Sequence, residues 1–385
     1  MRTDNRRHEQ HGRSSDLSSM KLIDLFCGCG GFSLGAHQAG FKVVSAYDID
    51  PHLTYSYTRN FPTTTLHLED VTSLTGERLL ADSGEIDGIF GGPPCQGFSD
   101  IGRRATDDPR RQLLSHFFRL VAEVEPTFFV MENVRGLAYS GARPVLEQAL
   151  HLVEDRYALL GPYIWDASDF GAATRRQRLF VVGIHKDRGD ALTLEDIANR
   201  ETEPANVKAA ISDLAGAVRI DDEDGYDVWR FGRSGRPSSY AAAMREAGGR
   251  FTGHKQTAHT PAISTRFAAL RPGEIDPVGR HPKLSWFGQC PTLRAGTGAD
   301  RGSYQSVRPI HPAEPRVITV REAARLQGFP DGHRFHPTIW HSFRMIGNSV
   351  SPVVAREIFT AIAIKLGVTP VLTAKVKVND RPTSP

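Results

Sequence analysis

Cysteine is scarce in this chain, with 4 residues in a sequence of 385. Cys27 and Cys29 stand one residue apart, which is not the spacing of a zinc knuckle, and Cys95 and Cys290 lie far along the chain. The four thiols therefore suit neither a disulfide framework nor a four-thiolate zinc site. We predict a reducing, cytoplasmic location and no bound metal.

Long apolar runs are missing as well. No stretch of the sequence approaches the roughly 20 apolar residues that a membrane-spanning helix needs. Residues 1–20 lack the apolar core of a secretion signal, and their polar, mixed-charge composition predicts a disordered extension over residues 1–19. We therefore expect no contact with a membrane.

The sequence also lacks the two common nucleotide-binding signatures. The glycine-rich stretch at residues 27–35 does not keep the full dinucleotide pattern, and it carries no Lys-Ser/Thr pair of a phosphate loop. NAD and ATP are therefore disfavoured as cofactors.

What the sequence does contain is a series of apolar runs that alternate with helical patterns. The runs predict strands at residues 21–26, 41–47, 64–68, 86–90, 127–131 and 179–184, and helices are predicted at about 110–124, 319–327 and 352–366. This alternation predicts an α/β fold with a parallel sheet. In an open sheet of that kind, ligands bind at the carboxyl ends of the strands.

Candidate binding residues stand at three successive strand ends. After the first predicted strand, glycines let the backbone come close to a ligand, and the helix that follows begins with free N–H groups. Asp48, at the end of the second, is placed to accept hydrogen bonds from a ribose. Asp70, after the third, is either an acceptor for an adenine amino group or the cap of the next helix. The pattern predicts a nucleoside site.

A cysteine follows the fourth predicted strand. Gly91-Gly92-Pro93-Pro94 ends that strand, because proline cannot donate to a sheet ladder, and this places Cys95 on a loop at the carboxyl edge. A thiol there becomes a nucleophile if nearby positive charge or N–H groups activate it. The alternative is a small, buried apolar side chain.

Charged residues flank the next two predicted strands. Glu132 comes directly after five apolar residues, where a carboxylate is unfavourable unless it is paired or used; the alternative is a helix cap in the following loop. Arg175, Arg176 and Arg178 lead into the strand at 179–184, which suggests an anion or a carboxylate nearby.

The alternation of strand and helix fades between about residues 187 and 315. A segment of this length without strong periodicity is unusual in a compact domain unless it binds something. Between Val228 and Pro312, 13 lysine and arginine residues stand against 4 aspartate and glutamate residues. This excess favours a polyanion, in particular nucleic acid, over a merely solvated face.

At this point the order of motifs resembles the bacterial DNA (cytosine-5) methyltransferases, over a span from about Leu22 to Leu366. The matching stretches are Asp24-Leu25-Phe26-x-Gly28-x-Gly30-Gly31, Pro93-Pro94-Cys95-Gln96, Glu132-Asn133-Val134, Arg176-Gln177-Arg178, residues 321–330 and Gly347-Asn348-Ser349-Val350. Six motifs in the right order make coincidence negligible.

The resemblance implies a fold and a division of the chain. The fold is a doubly wound, Rossmann-like sheet of the S-adenosylmethionine-dependent methyltransferases, with a second, smaller, loop-rich DNA-recognition domain. The predicted parts are an extension (1–19), the catalytic and cofactor-binding domain (20–188), the target-recognition domain (189–335), a segment that returns to the catalytic domain (336–368) and a tail (369–385).

The resemblance also implies a reaction. Cys95 would add to C6 of a flipped-out cytosine, so that C5 becomes nucleophilic, and Glu132 would bind N3 and the exocyclic amine. Arg176 and Arg178 would position the base oxygen and the carboxylate, and Gln96 belongs to the nucleophile motif. The methyl donor would be S-adenosylmethionine, whose methyl group would be transferred to C5; loss of the C5 proton and elimination of Cys95 would complete the cycle.

Further residues receive binding roles by the same resemblance. Those expected at the cofactor are Phe26, Gly28, Gly30, Gly31, Asp48, Ile49, Asp70, Val71, Pro94, Leu113, Asn348 and Ser349. The family commonly has a tryptophan where this chain has Ile49, so apolar contact is expected there in place of stacking. Those expected at the DNA are Ser99, Thr292, Arg294 and Gly296.

Double-stranded DNA is the expected partner, and a cognate restriction endonuclease that acts separately would complete a restriction-modification system. Two alternatives remain open at the level of sequence. One is the tRNA-methylating branch of the family, although its Cys-Phe-Thr element is missing here. The other is a catalytically inactive DNA-binding relative, although every chemical position is filled.

Overall fold

The structure, a computed structural model, describes residues 17–94, 112–139, 141–232, 236–296 and 307–368. The expectations for residues 1–16, Cys95, Gln96, Ser99 and the tail from residue 369 lie outside these ranges. Within them, no helix combines the length and the apolar character needed to cross a membrane.

A seven-stranded sheet forms the centre of the described chain, with the strand order β3-β2-β1-β4-β5-β7-β6. Its strands are β1 (Lys21–Leu25), β2 (Lys42–Asp48), β3 (Thr65–Leu68), β4 (Gly88–Gly91), β5 (Phe128–Val134), β6 (Tyr157–Asp166) and β7 (Gln177–His185). The first five pair in parallel, and β7 runs antiparallel to both β5 and β6. Because the strand order reverses between β1 and β4, a ligand crevice is expected at the carboxyl ends of these two strands. The predicted doubly wound α/β class is confirmed.

Helices cover both faces of this sheet. Their bounds are α1 (Gly31–Gln38), α2 (Tyr57–Asn60), α3 (Gly76–Ser83), α4 (Gln112–Val124), α5 (Arg143–Leu150), α6 (Leu194–Ala198), α7 (Val207–Ile211), α8 (Ser239–Met244), α9 (Pro261–Ala269), α10 (Val320–Gln327), α11 (Ile339–Asn348) and α12 (Pro352–Lys365). Successive strand residues point to opposite faces. Phe128 and Val130 accordingly pack with α1 and α12, whereas Phe129 and Met131 pack with α3, α4 and α5.

The start and end of α10 follow from local chemistry. Thr319 and Glu322 form a capping box, in which each side chain accepts the other residue's backbone N–H. Gly328 ends the helix in a left-handed conformation with φ of 95°. The helix predicted at 319–327 is therefore confirmed, with Thr319 as its cap.

Much of the predicted recognition domain (189–335) is irregular, but it contains a small antiparallel sheet that the sequence did not reveal. Its strands are β8 (Val218–Glu223), β9 (Tyr226–Arg230) and β10 (Arg250–Thr252), in the order β10-β9-β8. The residues of β8 are exposed or half-buried throughout. Val218 and Ile220 alternate with Arg219 and Asp221, but the acidic residues Asp222 and Glu223 end the pattern, so the signal by which a strand is recognised is brief here.

The fifth strand continues beyond its predicted end. The apolar run stops at Met131, but the ladder with β7 goes on, pairing Glu132 with Phe180 and Val134 with Arg178. Glu132 is thus a strand residue, and the alternative interpretation as a helix cap is wrong. Sequence patterns also missed β6 and α11.

Candidate active site

The glycine turn after β1 is held by the acid at the end of β2. Asp48 accepts the N–H of Gly28 through Oδ2 and that of Asp50 through Oδ1, both at 2.9 Å. Burial raises the pKa of Asp48, and these two backbone donors oppose that effect. Gly28 has a φ of 50°, and a Cβ built on it would have nothing within 4 Å. Its backbone therefore borders open space in which a ligand can approach closely.

The next glycines have a packing role. A Cβ on Gly30 would lie 2.2 Å from the Phe61 ring, and one on Gly31 would lie 2.0 Å from Ser349 Oγ. These contacts leave no space for a side chain, and they join the start of α1 to the turn after α11. Asn348, the last residue of α11, is exposed, whereas Ser349 is buried and donates to the Val350 carbonyl at 2.8 Å.

Apolar side chains stand open to solvent at the same edge. Ile49 is 67% exposed and Leu68 is 55% exposed, at the ends of β2 and β3, and Phe26 is partly buried with a φ of 64°. These side chains offer apolar cover for a flat ring, and Asp48 offers a carboxylate for hydroxyl groups. The residues present therefore fit the adenosine part of S-adenosylmethionine.

Two predicted cofactor residues have other structural tasks. Asp70 caps the short helix after it, since its Oδ1 accepts the N–H of Thr72 at 2.9 Å, so the capping alternative is confirmed. Val71 is 3% exposed and belongs to the core under α4, which leaves only its backbone free to meet a ligand. Leu113 is half-buried in the first turn of α4.

A buried ion pair marks the carboxyl end of β5. Glu132 Oε1 lies 3.0 Å from Arg178 Nε, and only 8% of Glu132 is exposed. Burial raises the pKa of the Glu132 carboxyl, and the charges of Arg178 and Arg176 offset part of that rise. A carboxyl group in this setting takes up a proton more readily than one in water, and it can then donate a hydrogen bond as well as accept one.

The strand that carries Glu132 also holds the segment leading to Cys95. Asn133 Nδ2 donates to the Pro93 carbonyl at 3.0 Å. A Cβ on Gly92 would lie 2.9 Å from Glu132 Oε2, so the Gly92 backbone lies directly beside the carboxylate. Pro94, which is exposed, is the last described residue before the gap. Cys95, Gln96 and Ser99 lie outside the described residues, and their roles stay predictions.

Arg176 is held by backbone carbonyls from distant parts of the chain. It is 2% exposed, and its guanidinium donates to the carbonyls of Leu293, Gly347 and Ser349 at 2.7 to 3.3 Å. These bonds connect the start of β7 to the turn after α11 and to the segment at Leu293, and the expected role of Arg176 beside the base stays a prediction. Its Nε is buried and has no hydrogen-bond partner within the described ranges.

The proposed DNA segment runs alongside this connection. Thr292 Oγ1 donates to the Arg175 carbonyl at 2.7 Å, while Arg294 and Gly296 are exposed. A Cβ on Gly347 would lie 2.4 Å from the backbone nitrogen of Ala295. The structure therefore places the backbone of this segment against the Gly347-Asn348-Ser349 turn and leaves the Arg294 side chain open to solvent.

Sequence reasoning missed several residues of this edge. Asn133 was part of a recognised motif, but its bond to Pro93 depends on the neighbouring strand. Gln327 donates through Nε2 to the carbonyls of Ile346 and Ser349 at 3.2 and 3.0 Å, and so supports the same turn as Arg176. Neither partner is near Gln327 in sequence, so no local pattern could have shown the contact.

An open sheet with this strand order, and with a glycine turn, an acid and an apolar rim at its carboxyl edge, defines the fold of the S-adenosylmethionine-dependent methyltransferases. Comparison of the sequence with known families then narrows the class. The chain belongs to the C-5 cytosine-specific DNA methylases, whose family model matches residues 20–363. It is accordingly a DNA (cytosine-5) methyltransferase.

Curated relatives agree with this assignment. The chain is 43% identical over 356 residues to the type II methyltransferase M.XorII of Xanthomonas oryzae pv. oryzae, a match that covers 87% of this chain and 82% of that protein. It is 31% identical over 380 residues to the type II methyltransferase M.DdeI of Desulfomicrobium norvegicum, with 89% and 88% covered.

Solved structures show the same architecture. A putative DNA modification methyltransferase encoded within a prophage of E. coli superposes with a TM-score of 0.79 at 39% identity, covering 91% of this chain and 100% of that one. The Dnmt2 methyltransferase of S. pombe superposes with a TM-score of 0.60 over 90% of this chain, but at 19% identity it supports the fold alone.

Proposed function

We propose that the enzyme methylates C5 of a cytosine flipped out of double-stranded DNA, with S-adenosylmethionine as methyl donor, Cys95 as covalent nucleophile and Glu132 as the group that binds the base. The observation that supports this most is the position of the Glu132 carboxyl. It is buried, paired with Arg178 and next to Gly92, three residues before Cys95.

The residues of the chain divide the work. Cytosine is a poor nucleophile at C5, so addition of the Cys95 thiolate to C6 is needed to place electron density on C5. Negative charge then develops toward N3, where Glu132, with its raised pKa, stabilises it by a hydrogen bond. Arg178 holds the Glu132 carboxylate in place from the neighbouring strand. Loss of the C5 proton and elimination of Cys95 release the product.

The cofactor would lie along the ends of β1 and β2. When bound, S-adenosylmethionine supplies an electrophilic methyl group. Gly28 offers open backbone, Asp48 a fixed carboxylate for the ribose hydroxyls, and Phe26 and Ile49 apolar contact for the adenine. Asp48 is already oriented by two backbone donors, so little reorganisation is needed when the ribose arrives.

Covalent trapping tests the proposed nucleophile. DNA that carries 5-fluorocytosine at the target should form a stable adduct with the enzyme, because the fluorine cannot leave as the C5 proton does. We expect no adduct with Cys95→Ser and an unchanged adduct with Cys290→Ala, which alters a fully buried cysteine. An adduct in the Cys95→Ser variant would refute the assignment.

We further propose that the enzyme is the modification partner of a type II restriction-modification system, because M.XorII and M.DdeI carry that designation. Sequencing of 5-methylcytosine in DNA from cells that express the enzyme would give the target. The methylated site should become resistant to an endonuclease that cuts there. Methylation of tRNA without methylation of DNA would favour the RNA-modifying branch instead.

A further inference from the structure

Three histidines from two distant parts of the chain meet beside the cofactor edge. His52 follows β2, His336 precedes α11, and His341 lies in its first turns. The nitrogen that each offers lies within 4.8 Å of the other two. The ring of His341 stands 4.4 Å from that of His52 and 4.5 Å from that of His336, measured between centroids. We propose that this cluster is a binding site for a divalent transition-metal ion such as Zn²⁺.

The separation of the rings suits an ion of this class. Imidazole nitrogens bind Zn²⁺ at about 2.0–2.1 Å, so three of them around one tetrahedral ion lie roughly 3.3 Å apart. The nitrogen atoms of the three histidines lie within 4.8 Å of one another. Rotation of an imidazole ring about its side-chain bonds moves a nitrogen atom far enough to close the difference between this distance and the one that the ion requires. His52 is exposed and lies on a loop, so its ring can turn toward the other two. Water would complete the coordination.

The nitrogen atoms are available for coordination. His341 Nδ1 is buried and has no hydrogen-bond partner within the described ranges, which is unfavourable unless something binds there. His336 Nδ1 accepts the N–H of Thr338 at 2.9 Å. Thr338 is exposed, so its N–H can turn to water if His336 changes its ring orientation to bind an ion.

The permanent charges beside the cluster are paired with each other. Arg344 Nη2 lies 2.7 Å from Asp50 Oδ2, so the Arg344 charge next to the three rings is balanced by a carboxylate.

A stacked cluster without metal is the competing explanation. Tyr55 lies 4.4 Å from the His336 ring and Trp340 lies 4.7 Å from the His341 ring, so aromatic packing also favours this arrangement. Only metal binding, however, requires the three nitrogen atoms to act together. The two explanations therefore differ in what happens when a single ring is removed.

The test is a titration of the untagged, full-length enzyme with Zn²⁺ after treatment with a chelator and desalting. We expect one equivalent to bind, with a rise in Tm that grows with metal concentration. His52→Ala and His341→Ala should each weaken binding by roughly tenfold or more. His151→Ala is the matched control, because His151 is an exposed helix-end histidine outside the cluster and should leave binding unchanged.

Cobalt(II) distinguishes this site from the cysteines. Nitrogen ligands should give visible d–d bands without the thiolate-to-cobalt charge-transfer band that cysteine coordination produces. Stoichiometric binding that survives in a His52→Ala, His341→Ala double variant would overturn the proposal, as would a thiolate band or an affinity no tighter than about 1 mM. If His341→Ala does not fold, His52→Ala alone decides, since His52 is exposed and its removal leaves the core intact.

Discussion

Glu132 and Glu322 are both buried carboxylates, with 8% and 2% of their surfaces exposed, yet their surroundings act on them in opposite ways. Burial raises the pKa of Glu132, and Arg178 and Arg176 offset only part of that rise. Burial acts in the same sense on Glu322, but hydrogen bonds and charge from Arg316 outweigh it and lower its pKa to about 2.

The difference lies in the number and placement of donors. Glu322 accepts two N–H groups of Arg316 at 2.9 Å and the backbone N–H of Thr319 at 2.7 Å, so its charge is fully compensated. Glu132 is paired with Arg178 at 3.0 Å, and its other carboxylate oxygen lies on the side of Gly92. A compensated carboxylate stabilises a fold, whereas an incompletely compensated one is available to a substrate.

The largest expected effect is on turnover. Glu132→Gln removes the acidic proton and the charge at N3, so the methylation rate should fall by about 10²- to 10⁴-fold. Single-turnover kinetics on a defined DNA duplex would measure this.

Two controls accompany that measurement. Affinity for S-adenosylmethionine should remain, since the cofactor residues lie on other strands, and Glu147→Gln should leave the rate unchanged because Glu147 pairs with Arg143 on the surface. A near-normal rate in Glu132→Gln would make Glu132 a structural group like Glu322.

The next effect concerns stability at the other carboxylate. Arg316→Met leaves Glu322 buried without its bidentate partner, and breaking such a pair should lower the free energy of unfolding by about 3–5 kcal/mol. Urea unfolding would measure it. The exposed Arg143–Glu147 pair is the matched comparison, and Arg143→Met should change stability by less than about 1 kcal/mol. Equal effects of the two substitutions would contradict the contrast between the sites.

The same pair predicts a pH dependence. The pKa of Glu322 falls from 4.5 to about 2, which corresponds to roughly 3 kcal/mol. Because the folded pKa is the lower one, this stability is present above about pH 4.5 and is lost as the pH falls toward 2. Glu322→Gln should therefore flatten the acid limb of the stability profile. If the Glu322→Gln variant kept the wild-type dependence of stability on pH, the acid sensitivity would come from other groups, such as the buried His254 and His311.

The smallest expected effect is on sequence choice. Arg294 is exposed beside the Gly347-Asn348-Ser349 turn. If its side chain contacts a base, Arg294→Ala should reduce the discrimination at one base pair by roughly 1–3 kcal/mol. If it contacts a phosphate, the substitution should weaken binding to all sequences alike. Methylation of a randomised target library distinguishes the two. Cofactor binding should not change, and Arg143→Ala serves as a control on a distant helix. If Arg294→Ala lost cofactor binding but kept its preference among DNA sequences, the placement of Arg294 at the DNA would be contradicted.

The features of the site that could be predicted are those that local sequence patterns and successive strand ends determine. Asp48 was placed at the end of β2 because an acid followed an apolar run, and its bond to Gly28 joins two adjacent strand ends. The α10 helix was predicted from its amphipathic pattern and from the glycine that ends it, and the structure adds the Thr319 cap. Glu132 was expected just after β5, one position outside the strand in which it lies, because apolar character stops before the ladder does.

The partners of charged groups could not be predicted in this way. Arg176 donates to backbone carbonyls more than 100 residues away, and no local pattern indicated these partners. His52 and His341 become neighbours only because the loop after β2 packs against α11, where Arg344 binds Asp50.

The sequence by itself determined the α/β class, the order of the strand ends and the residue types available at each, because burial periodicity and turn chemistry are local properties. It also determined the motifs by which the family was recognised. Only the tertiary structure decided that Glu132 is left partly uncompensated while Glu322 is saturated, and that Arg176 joins three segments. Those outcomes depend on which donors reach a carboxylate across the core, and long-range packing alone sets these distances.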